Sequence, residues 1–312
     1  MTMNYEAFKN EVEKTFKDYL PEHFQEMELE VIPVNKVNGI KDGLIMTENF
    51  QEGKKVSPTL YINDMYEAYS KTGDFEKVML TAAENMVNSF DHIPKAMEVD
   101  FENVQDNIVF QVVNTAWNEE MLQKIPHREF LDLSIIYRLV ISVDDKGVMS
   151  TIVDNNLAQG LGMKEEELLR CAARNTFRIF PPSIVRMCEF MKEGLIDSGV
   201  SQEEADMLSE IMPEDDILYV ITNTKKLDGA CSILYENNIH ELATKLGTDL
   251  YILPSSIHEC IALSVDAVEL SDVVGLVETS NRTQVSLDER LSDRVYYYNK
   301  DSRSFSLAGE ED

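Results

Sequence analysis

The first apolar residues of the chain recur every four positions: Phe8, Val12 and Phe16, with Tyr5 and Leu20 extending the stripe. That spacing puts them on one face of a helix, and Pro21 stops it. Residues 29–37 then read as a strand. Asn38 and Gly39 both tolerate positive φ and predict a two-residue hairpin turn, with a return strand over residues 44–47. Residues 58–63 predict a third strand, with Pro58 at its start, where a missing N–H does least harm. Helices follow over 65–70 and 75–90. Residues 1–100 thus form an α-β-β-β-α-α unit.

The pattern changes after residue 100. Residues 108–113 predict a strand, 119–124 a short helix and 130–143 a long strand, which Asp145-Lys146-Gly147 turns back into a strand over 148–153. Residues 165–174 are helical, with Leu168, Leu169 and Ala172 on one side. Pro181-Pro182 breaks the chain before a helix over 184–191. Ser201 and Glu204 form a capping box that opens a helix reaching Met212. Next come a buried strand (217–222), a helix (230–246), two strands (250–253 and 260–265), a helix (268–277) and a last strand (295–298). Over residues 213–300 the order is β-α-β-β-α-β, that of a ferredoxin-like split βαβ unit. Residues 101–200 echo it as β-α-β-β-α, and both segments open with a strand running into Asn-Thr (Asn114-Thr115, Asn223-Thr224). The fold class is α+β, with a mixed-sheet C-terminal unit over 101–312; one shared dipeptide is weak support for a duplication, so whether 101–200 and 213–300 are related halves stays open.

Charge narrows the function. The chain holds 57 acidic against 28 basic residues, a net charge of −29. The excess is uneven: residues 201–312 carry 23 acids and only 8 bases. A field of that sign repels phosphate backbones and anionic lipid, so direct binding to nucleic acid or a membrane is disfavoured and a basic protein partner is favoured. The longest apolar stretch, 131–143, is interrupted by Asp132 and Arg138 and is too short to span a bilayer. Four dispersed cysteines without a C-x-x-C pair, and no export signal at the start, point to a reducing cytoplasm.

Catalytic motifs are sparse. His240-Glu241 and His258-Glu259 each begin an H-E-x-x-H zinc motif, but position +4 is Thr244 in one and Ala262 in the other. No metal and no cofactor are expected. Gly160 and Gly162 precede a helix, yet Glu165 stands where a dinucleotide fingerprint needs its third glycine. Lys225 and Lys226, ahead of Asp228-Gly229-Ala230 at a helix start, are candidates for holding an anion. Cys231 near that start is a candidate nucleophile. His240 lies nine residues on, about 900° around a continuous helix and so on the opposite face. The turn over 254–259 concentrates Ser255, Ser256, His258 and Glu259. Tyr296-Tyr297-Tyr298 reads as edge-strand packing rather than a stacking platform for bases.

Several stretches carry a resemblance: SPTLYIND at 57–64 with Tyr66 and Tyr69, PHREFLDL at 126–133, YVITN at 219–223 with Gly229-Ala230, YILPSSIHE at 251–259, NRTQV at 281–285 and LSD at 291–293. Together they resemble a family of uncharacterised bacterial proteins catalogued only as a domain of unknown function. The resemblance implies a cytoplasmic bacterial protein with no established activity to transfer, and it draws attention to His258, Glu259, Asn281 and Arg282. The leading expectation is a non-catalytic acidic binding or adaptor protein acting on a protein partner. One alternative is an unrecognised hydrolase or transferase centred on 254–259, with His258 as base and Ser255, Ser256 or Cys231 as nucleophile. The other is an acidic mimic of DNA.

Overall fold

The computed structural model describes residues 3–47, 58–92, 103–144, 147–211, 218–254 and 256–309. The chain is α+β and divides into two compact units, Met1–Val99 and Asp100–Asp312.

The first unit opens with α1 (Tyr5–Thr15), a 3-10 turn (Phe16–Tyr19) and a single helical turn, α2 (Glu22–Gln25). Asn4 caps α1 by accepting from Ala7 N at 2.9 Å. An antiparallel sheet of β1 (Glu28–Lys36), β2 (Gly39–Thr47) and β3 (Thr59–Tyr61) follows, then α3 (Ile62–Thr72) and α4 (Phe75–His92). The period-four stripe is the core face: Phe8, Val12 and Phe16 are fully buried against Leu44 and Met46 of β2 and against Ile62, Met79 and Met86. Each such side chain contributes roughly 2 kcal/mol by leaving water. The hairpin turn falls one residue earlier than the Asn-Gly pair predicts. Lys36 pairs with Gly39 in the ladder, so Val37 and Asn38 form the turn, with Asn38 at φ 62°. Asparagine tolerates that left-handed conformation because its short side chain bonds locally.

The second unit holds two sheets. In the first, β4 (Ile108–Asn114) pairs with one edge of the 12-residue β6 (Leu133–Asp144). The other edge is shared by β5 (His127–Phe130) and β7 (Gly147–Ile152). The short helix α5 (Glu119–Leu122) lies between β4 and β5 in the chain, and α6 (Asn155–Gly160) and α7 (Glu165–Ile179) follow β7. The single strand expected over 130–143 is therefore two, joined by a turn at Leu131 and Asp132. Leu131 sits at φ 55°, a conformation leucine seldom adopts, so the sequence carries no turn signal there.

The second sheet contains β8 (Pro182–Arg186), β9 (Leu218–Asn223), β10 (Leu250–Leu253), β11 (Cys260–Ser264), β12 (Tyr296–Asn299) and β13 (Ser304–Leu307). Its spatial order is β13-β12-β10-β11-β9-β8, antiparallel throughout. Helices α8 (Met187–Asp197) and α9 (Gln202–Ile211) follow β8, α10 (Glu236–Leu246) follows a 3-10 segment (Gly229–Leu234), and α11 (Leu270–Thr283) follows β11. The helix expected over 184–191 is half strand, because Ile184 and Val185 pair with Ile221 and Val220 of β9. The helix expected over 230–246 is interrupted at Tyr235, so Cys231 and His240 do not share one helix. β12 is not an edge strand, since β13 covers it.

Both sheets contain a split βαβ. β4 and β5 run parallel with β6 between them, and β9 and β10 run parallel with β11 between them. In each, the first strand ends in a buried asparagine whose Oδ1 accepts from the following turn: Trp117 N to Asn114 at 3.1 Å, and Lys225 N to Asn223 at 2.9 Å. The second sheet departs from a ferredoxin-like arrangement at its last strand. β12 lies beside β10, and β8 occupies the place next to β9 where a ferredoxin-like sheet returns its final strand.

Candidate functional site

The turn between β10 and β11 is built by its own side chains. Ser256 Oγ donates to Glu259 Oε1 at 2.7 Å and accepts from the backbone N–H of His258 (3.0 Å) and Glu259 (3.3 Å). A serine hydroxyl used in this way imitates a backbone turn. Ser255 lies outside the described residues. The segment after α11 runs alongside: Ile257 N donates to Glu289 O at 2.8 Å, and Ser292 N to Pro254 O at 3.1 Å.

His258 faces the loop after β9. Its Nδ1 accepts from Asp228 N at 3.1 Å, which leaves Nε2 as the protonated nitrogen of the neutral ring, 3.6 Å from Glu289 Oε1. The His258 carbonyl accepts from Thr222 Oγ1 at 2.8 Å. Gly229 fits beneath these groups for want of a side chain. A Cβ there would stand 2.3 Å from Thr222 Oγ1 and 2.6 Å from His258 O. Cys231 is buried and its Sγ donates to Asp228 O at 3.1 Å. Burial, with the Asp228 charge, pushes this thiol well above its ordinary pKa, and burial does the same to Cys260. A thiol raised in this way stays protonated at neutral pH and lacks nucleophilic character. His258 and Cys231 therefore meet through the two backbone groups of Asp228.

Lys226 is held elsewhere, its Nζ 3.0 Å from Glu193 and 3.3 Å from Asp197 of α8. Lys225 is exposed. The Ala230 N–H, a donor proposed for an anion at the helix start, is spent on Ile257 O at 3.2 Å. Asn281 is buried near the end of α11. Its Nδ2 donates to Ser292 O (2.8 Å) and Asp293 Oδ1 (2.7 Å). The neighbouring Arg282 is exposed. Ser256, His258, Glu259 and Asn281 are thus gathered around the segment 289–293, while Arg282 is exposed.

Two groups of residues escape sequence reasoning. Asp132, in the turn after β5, accepts from Ser292 Oγ (2.6 Å) and from the buried Tyr296 hydroxyl (2.5 Å), while Asn114 Nδ2 donates to Leu291 O at 3.1 Å. Burial and the adjacent Asp132 charge raise the Tyr296 phenol far above its usual value. The stretches 126–133 and 281–298 are therefore one polar network, and an aspartate between two leucines was its sole visible sign. The second group lines a cleft between β6, β7 and the loop after β9, where Arg138 and Asp228 are linked through Gln111.

Among the described residues, no three or more His, Cys, Asp or Glu side chains gather as a metal site, and no helix is long and apolar enough to cross a membrane. No curated protein and no solved structure matches the chain. A family model described as a family of unknown function (DUF5688) matches residues 5–300, and the chain belongs to that family.

Proposed function

We propose that this protein is a non-catalytic binding or adaptor protein of the cytoplasm, which docks a basic, amphipathic segment of a partner protein on the α8–α9 hairpin. The observation that carries this reading is the hairpin's surface. No residue of α8 is fully buried, and Met191 and Met207 are 45% and 67% exposed. The hairpin also exposes the acids Glu189, Glu193, Asp197, Glu203 and Glu204, of which Glu203 and Glu204 lie one turn before Met207 on α9. Methionine is flexible and polarizable, so exposed methionines adapt to varied apolar surfaces. A rim of carboxylates steers lysine and arginine toward them.

The hairpin's own cations are engaged by its acids: Arg186 with Glu189 at 2.7 Å, and Lys192 with Asp206. The Ser201–Glu204 capping box starts α9, with Ser201 Oγ donating to Glu204 at 2.8 Å. Elsewhere, the side chains that could serve catalysis have bonds that serve the fold, as Ser256, His258 and Cys231 do.

The test is affinity capture with the full chain and with the variant Glu203→Gln, Glu204→Gln, Asp206→Asn, Glu210→Gln. Loss of a basic partner by the variant, with an unchanged circular-dichroism spectrum, supports the reading. Retention of every captured partner sinks it, and loss of nucleic-acid-binding partners alone would favour mimicry of DNA.

A further inference from the structure

Helix α7 departs from the acidic character of the chain. Its buried residues are Leu168, Ala172, Asn175 and Thr176. The opposite face carries Arg170, Arg174 and Arg178 at every fourth position, with Phe177 beside the last two, and all four are exposed. Phe177 is 51% exposed, and its ring meets Tyr235 edge to face with the centroids 5.3 Å apart.

Few carboxylates answer this stripe. Arg174 Nη2 pairs with Asp106 Oδ1 at 2.9 Å, both at the surface. Arg178 Nη2 donates to the backbone carbonyl of Asp106 at 2.6 Å, and Arg170 Nε to that of Glu166 at 3.3 Å. Among the described residues, neither Arg170 nor Arg178 has a carboxylate at ion-pair distance. Other exposed arginines of the second unit do meet acids: Arg128 with Glu165, Arg186 with Glu189 and Arg303 with Glu236.

This face of α7 is therefore basic with an apolar centre, the chemistry that the α8–α9 hairpin fits. The hairpin supplies the converse set, since Glu203, Glu204 and Met207 stand exposed within one turn of α9. Guanidinium would meet carboxylate, and the phenyl ring would meet a thioether, both favourable pairs. We propose that the segment docked on the hairpin is helix α7 of a second copy of this chain. The proposal rests on the hairpin reading given above and names its partner. A net charge of −29 opposes association of two copies. Exposed charges more than about 8 Å apart are largely screened at physiological ionic strength, so those on the two facing helices decide the contact. The contact joins two different surfaces, and every copy carries both.

The experiment is sedimentation velocity of the full chain at submillimolar concentration, with two variants. One alters α7 (Arg170→Glu with Phe177→Ser), and the other alters the hairpin (Glu203→Lys with Met207→Ser). The unaltered chain is expected to self-associate reversibly, and each variant alone to do so at least tenfold more weakly. An equimolar mixture of the two variants should associate again, because the first keeps an intact hairpin and the second an intact α7. Should Phe177→Ser disturb the packing on Tyr235, Arg170→Glu alone carries the α7 arm. A monomeric unaltered chain overturns self-docking and leaves the hairpin reading to its own capture experiment. Association lost in the hairpin variant but kept in the α7 variant overturns the role of α7 while the hairpin reading stands. The reverse result defeats both, and failure of the mixture to recover defeats the pairing of these two surfaces.

Discussion

The network around segment 289–293 and the α8–α9 hairpin are both rich in polar side chains, and they use them in opposite ways. In the first, Asp132, Ser292 and Tyr296 close on one another although Asp132 is 160 residues from Ser292 and 164 from Tyr296. Asn281 and Ser256 likewise bond to the turns around them. In the second, the carboxylates stand at the surface, their ion pairs with Arg186, Lys192 and Lys226 are solvent-exposed, and two methionines are left uncovered. Polar residues inside family-like motifs therefore point to the architecture, and the acid-rich surface outside them points to interaction.

If that contrast is right, substitutions in the network should cost stability and substitutions on the hairpin should cost binding. The largest loss is expected from Asp132→Ala, which leaves the buried hydroxyls of Tyr296 and Ser292 without their acceptor. At ~1–3 kcal/mol per orphaned group, about 3 kcal/mol is expected in equilibrium urea unfolding. Gly229→Ala should follow at about 2 kcal/mol, because its Cβ would meet the backbone of His258 and Asn223 as well as Thr222 Oγ1, and the backbone cannot yield. A normal unfolding midpoint for either would show that these contacts are slack.

Smaller effects sharpen the picture. Native protein should react with a thiol reagent at the half-buried Cys171 and Cys188 but not at Cys231 or Cys260, and all four should react after unfolding. Glu165 supplies a pH test. Burial raises its pKa, but hydrogen bonds from Arg128 (2.6 Å) and Tyr137 outweigh burial and hold the carboxyl below its ordinary value. A folded-state value below the unfolded one gives stability that is present above the unfolded pKa of about 4.3 and lost as pH falls through the folded pKa. Glu165→Gln should therefore cost about 1 kcal/mol or less at neutral pH, and the gap to the unaltered protein should close in acid. An acid-unfolding curve of unchanged shape would contradict this. Glu203→Gln with Glu204→Gln should shift stability least, within about 0.5 kcal/mol, since glutamine keeps the capping box.

Much of the fold was legible where one local rule sufficed. The Phe8–Val12–Phe16 stripe, the Ser201–Glu204 cap and the strands flanking residues 254–259 all depend on neighbours within a few positions. The errors fall where tertiary pairing overrode local signals. Leu131 turns at positive φ because β5 must pair back on β6, and Ile184 and Val185 join β9 although a helix follows at once. The last strand, Ser304–Leu307, went unread because its four residues carry little alternation. In the candidate site, His258 and Asn281 were found from motif context. Their partners Asp228 and Ser292 were not, since bonds to backbone groups leave no pattern in side-chain identity. Gln111, Arg138 and Asp228 come from three separate segments, and nothing in the linear order marks them as neighbours.

The central claim is that the α8–α9 hairpin is the surface that meets a basic partner. It is tested most directly by the dissociation constant of a captured partner, measured at low and high salt for the unaltered chain and for the variant neutralised at Glu203, Glu204, Asp206 and Glu210. The account predicts binding at least tenfold weaker in the variant at low salt, with the steep salt dependence of the unaltered protein flattened. Equal affinities and equal salt dependence in the two proteins would contradict it.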